Sequence, residues 1–267
     1  MSNVADDLTG PVRGRRFRFS LRGLFAAVFV CGVVFFVLFR VLWPAVEATL
    51  ESGRRTTCTS NLKFIGMAMI HYHDAFGCFP PAYVTGPDGK PAHSWRVLLL
   101  PYLGFKGVYT LYDFNEPWDG PNNSRLAGMM PDGMVGTPIY SCPSDRTHRR
   151  NGETNYVMIT GPGTMFENGK APKEREILDG SENTIIVVEM AESGIRWTEP
   201  RDLEFDKMSF RINDPTQPSI SSRHPLGALV VRANASAHFL RSDTDPAVVR
   251  ALITHDAGDD PGPWEMP

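Results

Sequence analysis

The spacing of apolar positions changes character along this chain. Residues 24–39 read LFAAVFVCGVVFFVLF without a charge, and Val41-Leu42-Trp43 carry the run past Arg40. At 1.5 Å rise per residue, Leu24 to Leu42 spans roughly 28 Å, close to the hydrocarbon thickness of a bilayer. Arg40 lies near one end, where a long side chain can snorkel to the headgroups, and Trp43 suits the same interface. The pattern predicts a transmembrane helix over 24–43.

Past that run the period becomes that of an amphipathic helix. No proline interrupts 45–76, and Leu62, Ile65, Gly66, Met69 and His73 share one face. The spacing predicts a helix with a break near Ser52-Gly53, ending by Gly77 before Pro80-Pro81. His93–Leu103 fits either a short helix or a buried strand. Thr154–Thr160, Thr184–Met190, Ala228–Ala233 and Ala237–Leu240 read as strands, the last two joined by a tight turn at Asn234-Ala235-Ser236. Asp245-Pro246 supplies an N-cap and first-turn proline for a helix to Ile253.

The expected fold class is α+β, with a transmembrane helix continuing into a long amphipathic helix packed on an antiparallel sheet. The expected divisions are a basic stub (1–23), the span (24–43), a loop-rich domain (44–258) and a loose tail (259–267).

Charge adds an orientation. Arg13, Arg15, Arg16, Arg18 and Arg22 precede the span, whereas Glu47 and Glu51 oppose Arg54 and Arg55 after it. The positive-inside rule then places the amino terminus in the cytoplasm and the main domain outside the inner membrane. Val46-Glu47-Ala48 fits a loose signal-cleavage site, but the apolar run exceeds the usual 7–15-residue signal core. With 27 Lys+Arg against 30 Asp+Glu, nothing marks the chain as a nucleic-acid binder.

Candidate chemistry is sparse. His71, His73 and Asp74 are the densest ligand group, yet residues two apart on a helix point roughly 200° apart. Asp113, Asn115 and Asp119 resemble the start of a calcium loop, with Pro117 standing where a ligand is needed. Trp95, Asp113, Asn115, Trp118, Asp119 and Asn122 form the candidate pocket rim or partner surface. No GxSxG or SxxK occurs, and Glu189, ending an apolar strand, reads as structurally paired. The sequence names no metal ligands, no cofactor beyond that calcium candidate, and no catalytic residue. Of the cysteines after the span, Cys58 and Cys78 lie too far apart on one helix to bridge, leaving Cys142 to pair with either.

Several stretches together resemble the bacterial domain-of-unknown-function family 1559. They are RRTTCTSNLKFIGMAMIHYHDAFGCFPPAY (54–83), HSWRVLLLPYL (93–103), LYDFNEPWDGPNN (111–123), YSCPSD (140–145), DGSENTIIVVE (179–189) and WTEPRDL (197–203), with the strand pair beginning at His224. The resemblance implies a membrane-anchored, pilin-like or pseudopilin-like envelope protein without established enzymatic activity. It favours Cys58 as the disulfide partner of Cys142. Two positions depart from the pattern. Val28 stands where pilin-like relatives carry a glutamate five residues after the cleavage-point glycine (here Gly23). Asn234-Ala235 replace the Asp-Gly that follows the signature histidine, His224.

The expected function is therefore non-enzymatic, through contacts with envelope proteins of a secretion or pilus-like assembly. A tethered solute- or glycan-binding module is the alternative, and a metal-dependent hydrolase the weaker one. His73 or His224 held within ligand distance of two carboxylates in a cleft would overturn the non-catalytic expectation.

Overall fold

The structure, a computed structural model, describes residues 20–129, 131–133, 138–145, 152–167 and 169–258. Most of the arginine stub and the tail from residue 259 lie outside the described residues. Two compact units divide between Thr49 and Leu50.

In the first unit, the described residues belong to helix α1 (Leu21–Phe76), preceded by Ser20. Every residue from Ser20 to Leu50 is exposed, including Phe25, Phe29, Phe35 and Phe39. A soluble protein's core helix buries such side chains, so an uncovered apolar surface of this length matches a lipid environment. Among the described residues, α1 is the one helix long and apolar enough to cross a membrane.

The second unit is α+β. After α1 come β1 (Tyr83–Thr85), β2 (Pro91–Ser94), α2 (Trp95–Leu98), α3 (Lys106–Leu111) and α4 (Asn123–Ala127). Then follow β3 (Tyr156–Val157), β4 (Ile159–Thr160), β5 (Ile185–Glu189), β6 (Leu203–Glu204), β7 (Gly227–Arg232), β8 (Ala237–Arg241) and α5 (Pro246–Ile253). The main sheet is antiparallel in the order β3-β5-β7-β8.

The alternation of a strand sorts this sheet's side chains into two cores. Leu229 and Val231 of β7 join Cys58, Leu62, Ile65 and Met69 of α1. Ala228 and Val230 face the other way, with Val249, Leu252 and Ile253 of α5. Asp245 caps α5 by accepting a 2.8 Å hydrogen bond from Ala247 N–H.

Three details differ from the sequence reading. α1 runs unbroken through Ser52-Gly53, where Thr56 and Thr57 hydroxyls bond back to the Ser52 and Gly53 carbonyls. A lone helical glycine costs about 1 kcal/mol, which the packed flank downstream outweighs. The segment 154–160 divides into β3 and β4 because Met158 N–H is diverted to Asp202 Oδ1 at 2.9 Å. β4 then pairs in parallel with β6. His93–Leu103 resolves into both alternatives, as strand β2 followed by helix α2.

The β7–β8 turn carries the Asn234-Ala235 departure. Ala235 adopts φ 62°, the left-handed region that a glycine occupies without strain. Asn234 Oδ1 supports the turn by accepting from Ser236 N–H at 3.0 Å. Gly66 of α1 packs under it: an added Cβ would lie 2.9 Å from Val231 Cγ2 and 3.0 Å from Ala235 Cα.

Candidate functional site

Glu51 and Cys58 lie two helical turns apart on α1 and share the face that meets the sheet. Cys142 comes from the 138–145 loop, its N–H fixed by Asn155 Oδ1 at 2.8 Å. Asn155 in turn donates to Asp145 Oδ2. Glu189 is the last residue of β5, and His224 precedes β7, its N–H held by Ser222 Oγ.

These segments bring their side chains to one buried point. Cys58 and Cys142 Sγ are 2.9 Å apart, and both are free thiols in this structure. His224 Nε2 lies 3.4 Å from Cys142 Sγ and 3.6 Å from Glu189 Oε1. On its other side His224 Nδ1 donates to Glu51 Oε1 at 2.5 Å. Ser144 Oγ and Arg54 hold that carboxylate at 2.9 Å each. Glu189 Oε2 accepts from Leu229 N–H at 2.8 Å, while its Oε1 is buried without a hydrogen bond.

The charges follow from this arrangement. Burial alone would lower the pKa of His224, but Cys142, Glu189 and Glu51 outweigh it and push the imidazole up to about 9. Burial raises Glu51, yet hydrogen bonds from His224, Arg54 and Ser144 hold it below the ordinary carboxylate range. Burial lifts Glu189 above that range despite the nearby imidazole. The Cys58 thiol is raised by burial, and Cys142 first by its bond to Cys58 and then by burial. At neutral pH the centre holds an imidazolium against the Glu51 carboxylate, beside two neutral thiols.

Cys142, His224 and Glu51 are ordered as a nucleophile, a base and an orienting carboxylate. His224 thus meets two carboxylates, but not in an open cleft: Cys142 and His224 are each 2% exposed. The pocket touching Cys142 and Glu189 has no room for a water-sized sphere.

Of the residues expected to form a rim or partner surface, Trp95 is placed differently. Trp95 is fully buried and donates Nε1–H to Asp202, so it belongs to the core and not to a surface. A tryptophan's large apolar area explains the change: position in sequence does not distinguish core from rim. Asp113 accepts from Asn115 N–H, and Asn122 Nδ2 donates to the Leu111 carbonyl. Buried Asn123 ties the loop through the Asp113 and Pro117 carbonyls. Trp118 is half-buried, and Asp119 is exposed. His71 is exposed, and His73 packs on Phe79 with its Nδ1 3.9 Å from Asp74. His71 instead lines an apolar pocket of about 290 Å³ with Phe64, Met67, Tyr102 and Phe105.

Residues 48–164 match the family model described as "Protein of unknown function (DUF1559)". The matched segment belongs to the DUF1559 family. It holds Glu51, Cys58, Ser144 and Cys142, whereas Glu189 and His224 lie beyond it. No curated protein and no solved structure matches the chain. The DUF1559 match and a helix long and apolar enough to span a membrane are together consistent with a membrane anchor. The family resemblance already paired Cys58 with Cys142, but reading the sequence did not show that His224, Glu189 and Glu51 gather around that pair. Glu51 was visible only as a charge after the span, though its seven-residue spacing from Cys58 put both on one helix face.

Proposed function

We propose that this DUF1559 protein holds its folded unit on the outer side of the cytoplasmic membrane and acts by protein–protein contact, as a pseudopilin does, without catalysis. The observation that carries this reading is the burial of Cys142 and His224, each 2% exposed. Ligand sites are commonly ~300–1,000 Å³, and the space against Cys142 falls well short. The packing of α1 on an antiparallel sheet supports the pseudopilin comparison. Exposed Met67 and Phe76 on the same helix offer contact positions.

Photo-crosslinking in living cells from positions 67 and 76 tests the proposal. Discrete adducts with a second copy or with another envelope protein are expected. Lack of any protein adduct, together with turnover of a substrate lost in Cys142→Ala, would overturn it. Protease added outside spheroplasts should remove the domain and spare the stub.

The pocket beside Phe64 and Tyr102 favours a second reading, a tethered binding module for a small apolar solute. Saturable thermal stabilisation by such a solute, lost in Ala68→Phe, would support it over the first.

A further inference from the structure

We propose that Cys58, Cys142, His224 and Glu189, with both thiols reduced, form a binding site for a zinc-class divalent cation. The two sulfurs, an imidazole nitrogen and a carboxylate oxygen all lie within 4.8 Å of one another. All four side chains are buried, and they arrive from α1, the 138–145 loop, the turn before β7 and the end of β5.

The spacing can be compared with a tetrahedron. Zinc bonds of about 2.3 Å to sulfur and 2.1 Å to nitrogen or oxygen imply edges of about 3.8 Å (S to S), 3.6 Å (S to N) and 3.4 Å (N to O). Cys142 to His224 is 3.4 Å, and His224 to Glu189 is 3.6 Å. Both edges already fit within a few tenths of an ångström. The 2.9 Å separation of the sulfurs must open by about 0.9 Å, which small cysteine χ1 rotations accomplish.

Two further observations point to a ligand. Glu189 Oε1 is buried, accepts no hydrogen bond and faces the cluster. Buried acceptors are normally hydrogen-bonded, so a carboxyl oxygen whose near neighbour is the His224 ring nitrogen at 3.6 Å is placed to take an ion between them. The second is the outer partner of His224. Metal-bound histidines commonly donate their other ring N–H to a carboxylate, which fixes the ring and leaves the remaining nitrogen for the ion. Glu51 occupies that place, itself held by Ser144 and Arg54.

The donor set selects the ion. Two sulfurs and an imidazole suit zinc, whereas calcium and magnesium require oxygen. Coordination displaces one proton from each thiol, and Nε2 gives up any proton it carries. Two thiolates and one carboxylate then leave the occupied site with a net charge of −1. A Cys58–Cys142 disulfide removes both thiolates, so the oxidised pair and the metal exclude one another.

The test uses the full chain in detergent, reduced with a phosphine, stripped of metal and titrated with Zn²⁺ and Co²⁺. One zinc per chain, protection of two thiols from alkylation and a cobalt–thiolate charge-transfer band are expected. His224→Gln and Glu189→Gln should weaken binding at least tenfold, and Glu51→Gln by about tenfold. Fully reduced, folded protein that takes up no stoichiometric zinc would overturn the proposal. So would unchanged affinity in folded His224→Gln or Cys142→Ser protein.

Discussion

Glu51 and His224 are 173 residues apart in sequence and meet at 2.5 Å, Oε1 to Nδ1. The contact joins α1 to the turn that starts the β7–β8 hairpin, and farther along the helix Gly66 packs under the same hairpin's other end. The helix is therefore fastened to the sheet by a charged contact at one point and by close backbone approach at another.

The charged contact makes stability depend on pH. His224 rises to about 9 in the folded protein from an ordinary 6.5. Its contribution is complete below about pH 6.5 and is lost as pH climbs through about 9, amounting to about 3 kcal/mol at most. Glu51, whose folded pKa is lowered, contributes with the opposite sign, and its part is lost in acid as pH falls through that lowered value. Denaturation midpoints measured from about pH 5 to pH 10 should decline between 6.5 and 9. His224→Gln should flatten that decline; an unchanged slope would assign it to another group.

The close approach can be tested from both sides. Gly66→Ala places a methyl against Val231 and the Ala235 backbone, and should cost about 1–3 kcal/mol. Ala235→Gly relieves the left-handed strain at φ 62° and should stabilise by about 1 kcal/mol. Urea denaturation reports both changes. A neutral Ala235→Gly would mean that the turn carries no appreciable strain.

In an oxidising compartment the paired thiols should close. The 2.9 Å sulfur separation needs to contract to about 2.05 Å for a bond. Non-reducing peptide mapping of protein from the envelope should show Cys58 joined to Cys142, with half-buried Cys78 open to alkylation. Closure of that loop stabilises by up to about 4–5 kcal/mol. Isolation of Cys58, Cys78 and Cys142 all as alkylatable thiols from the oxidised envelope would refute the bridge.

Processing should leave residues 1–23 attached, because Val28 stands where a pilin-like substrate has glutamate. Intact-mass analysis is decisive here. A mature chain starting at Leu24 with a methylated amine would place this protein among processed pseudopilins.

What the sequence revealed was what local periodicity controls. The uncharged run, the Leu62–Met69 face, the hairpin strands and the Asp245 cap all depend on neighbours within a few residues. The division of 154–160 was hidden because its cause, the Asp202 carboxylate, sits 44 residues from Met158. The cluster was hidden for the same reason on a larger scale. A glutamate at a strand end looks alike whether it faces solvent or His224, and only the stacking of α1 on β5 and β7 distinguishes the two. Trp95 shows the limit for aromatics, since rim and core residues share one composition.

Because Cys58 and Cys142 meet only once α1, the 138–145 loop and the sheet are together, their reactivity is a clock for the whole unit. In reduced protein, a thiol reagent reaches half-buried Cys78 by local motion, whereas the buried pair waits for cooperative opening. The ratio of the two labelling rates then reads the opening free energy directly, in intact membranes and without denaturant. Once its membranes are reduced with a phosphine, the chain carries an internal fast standard and a slow probe for its own folding.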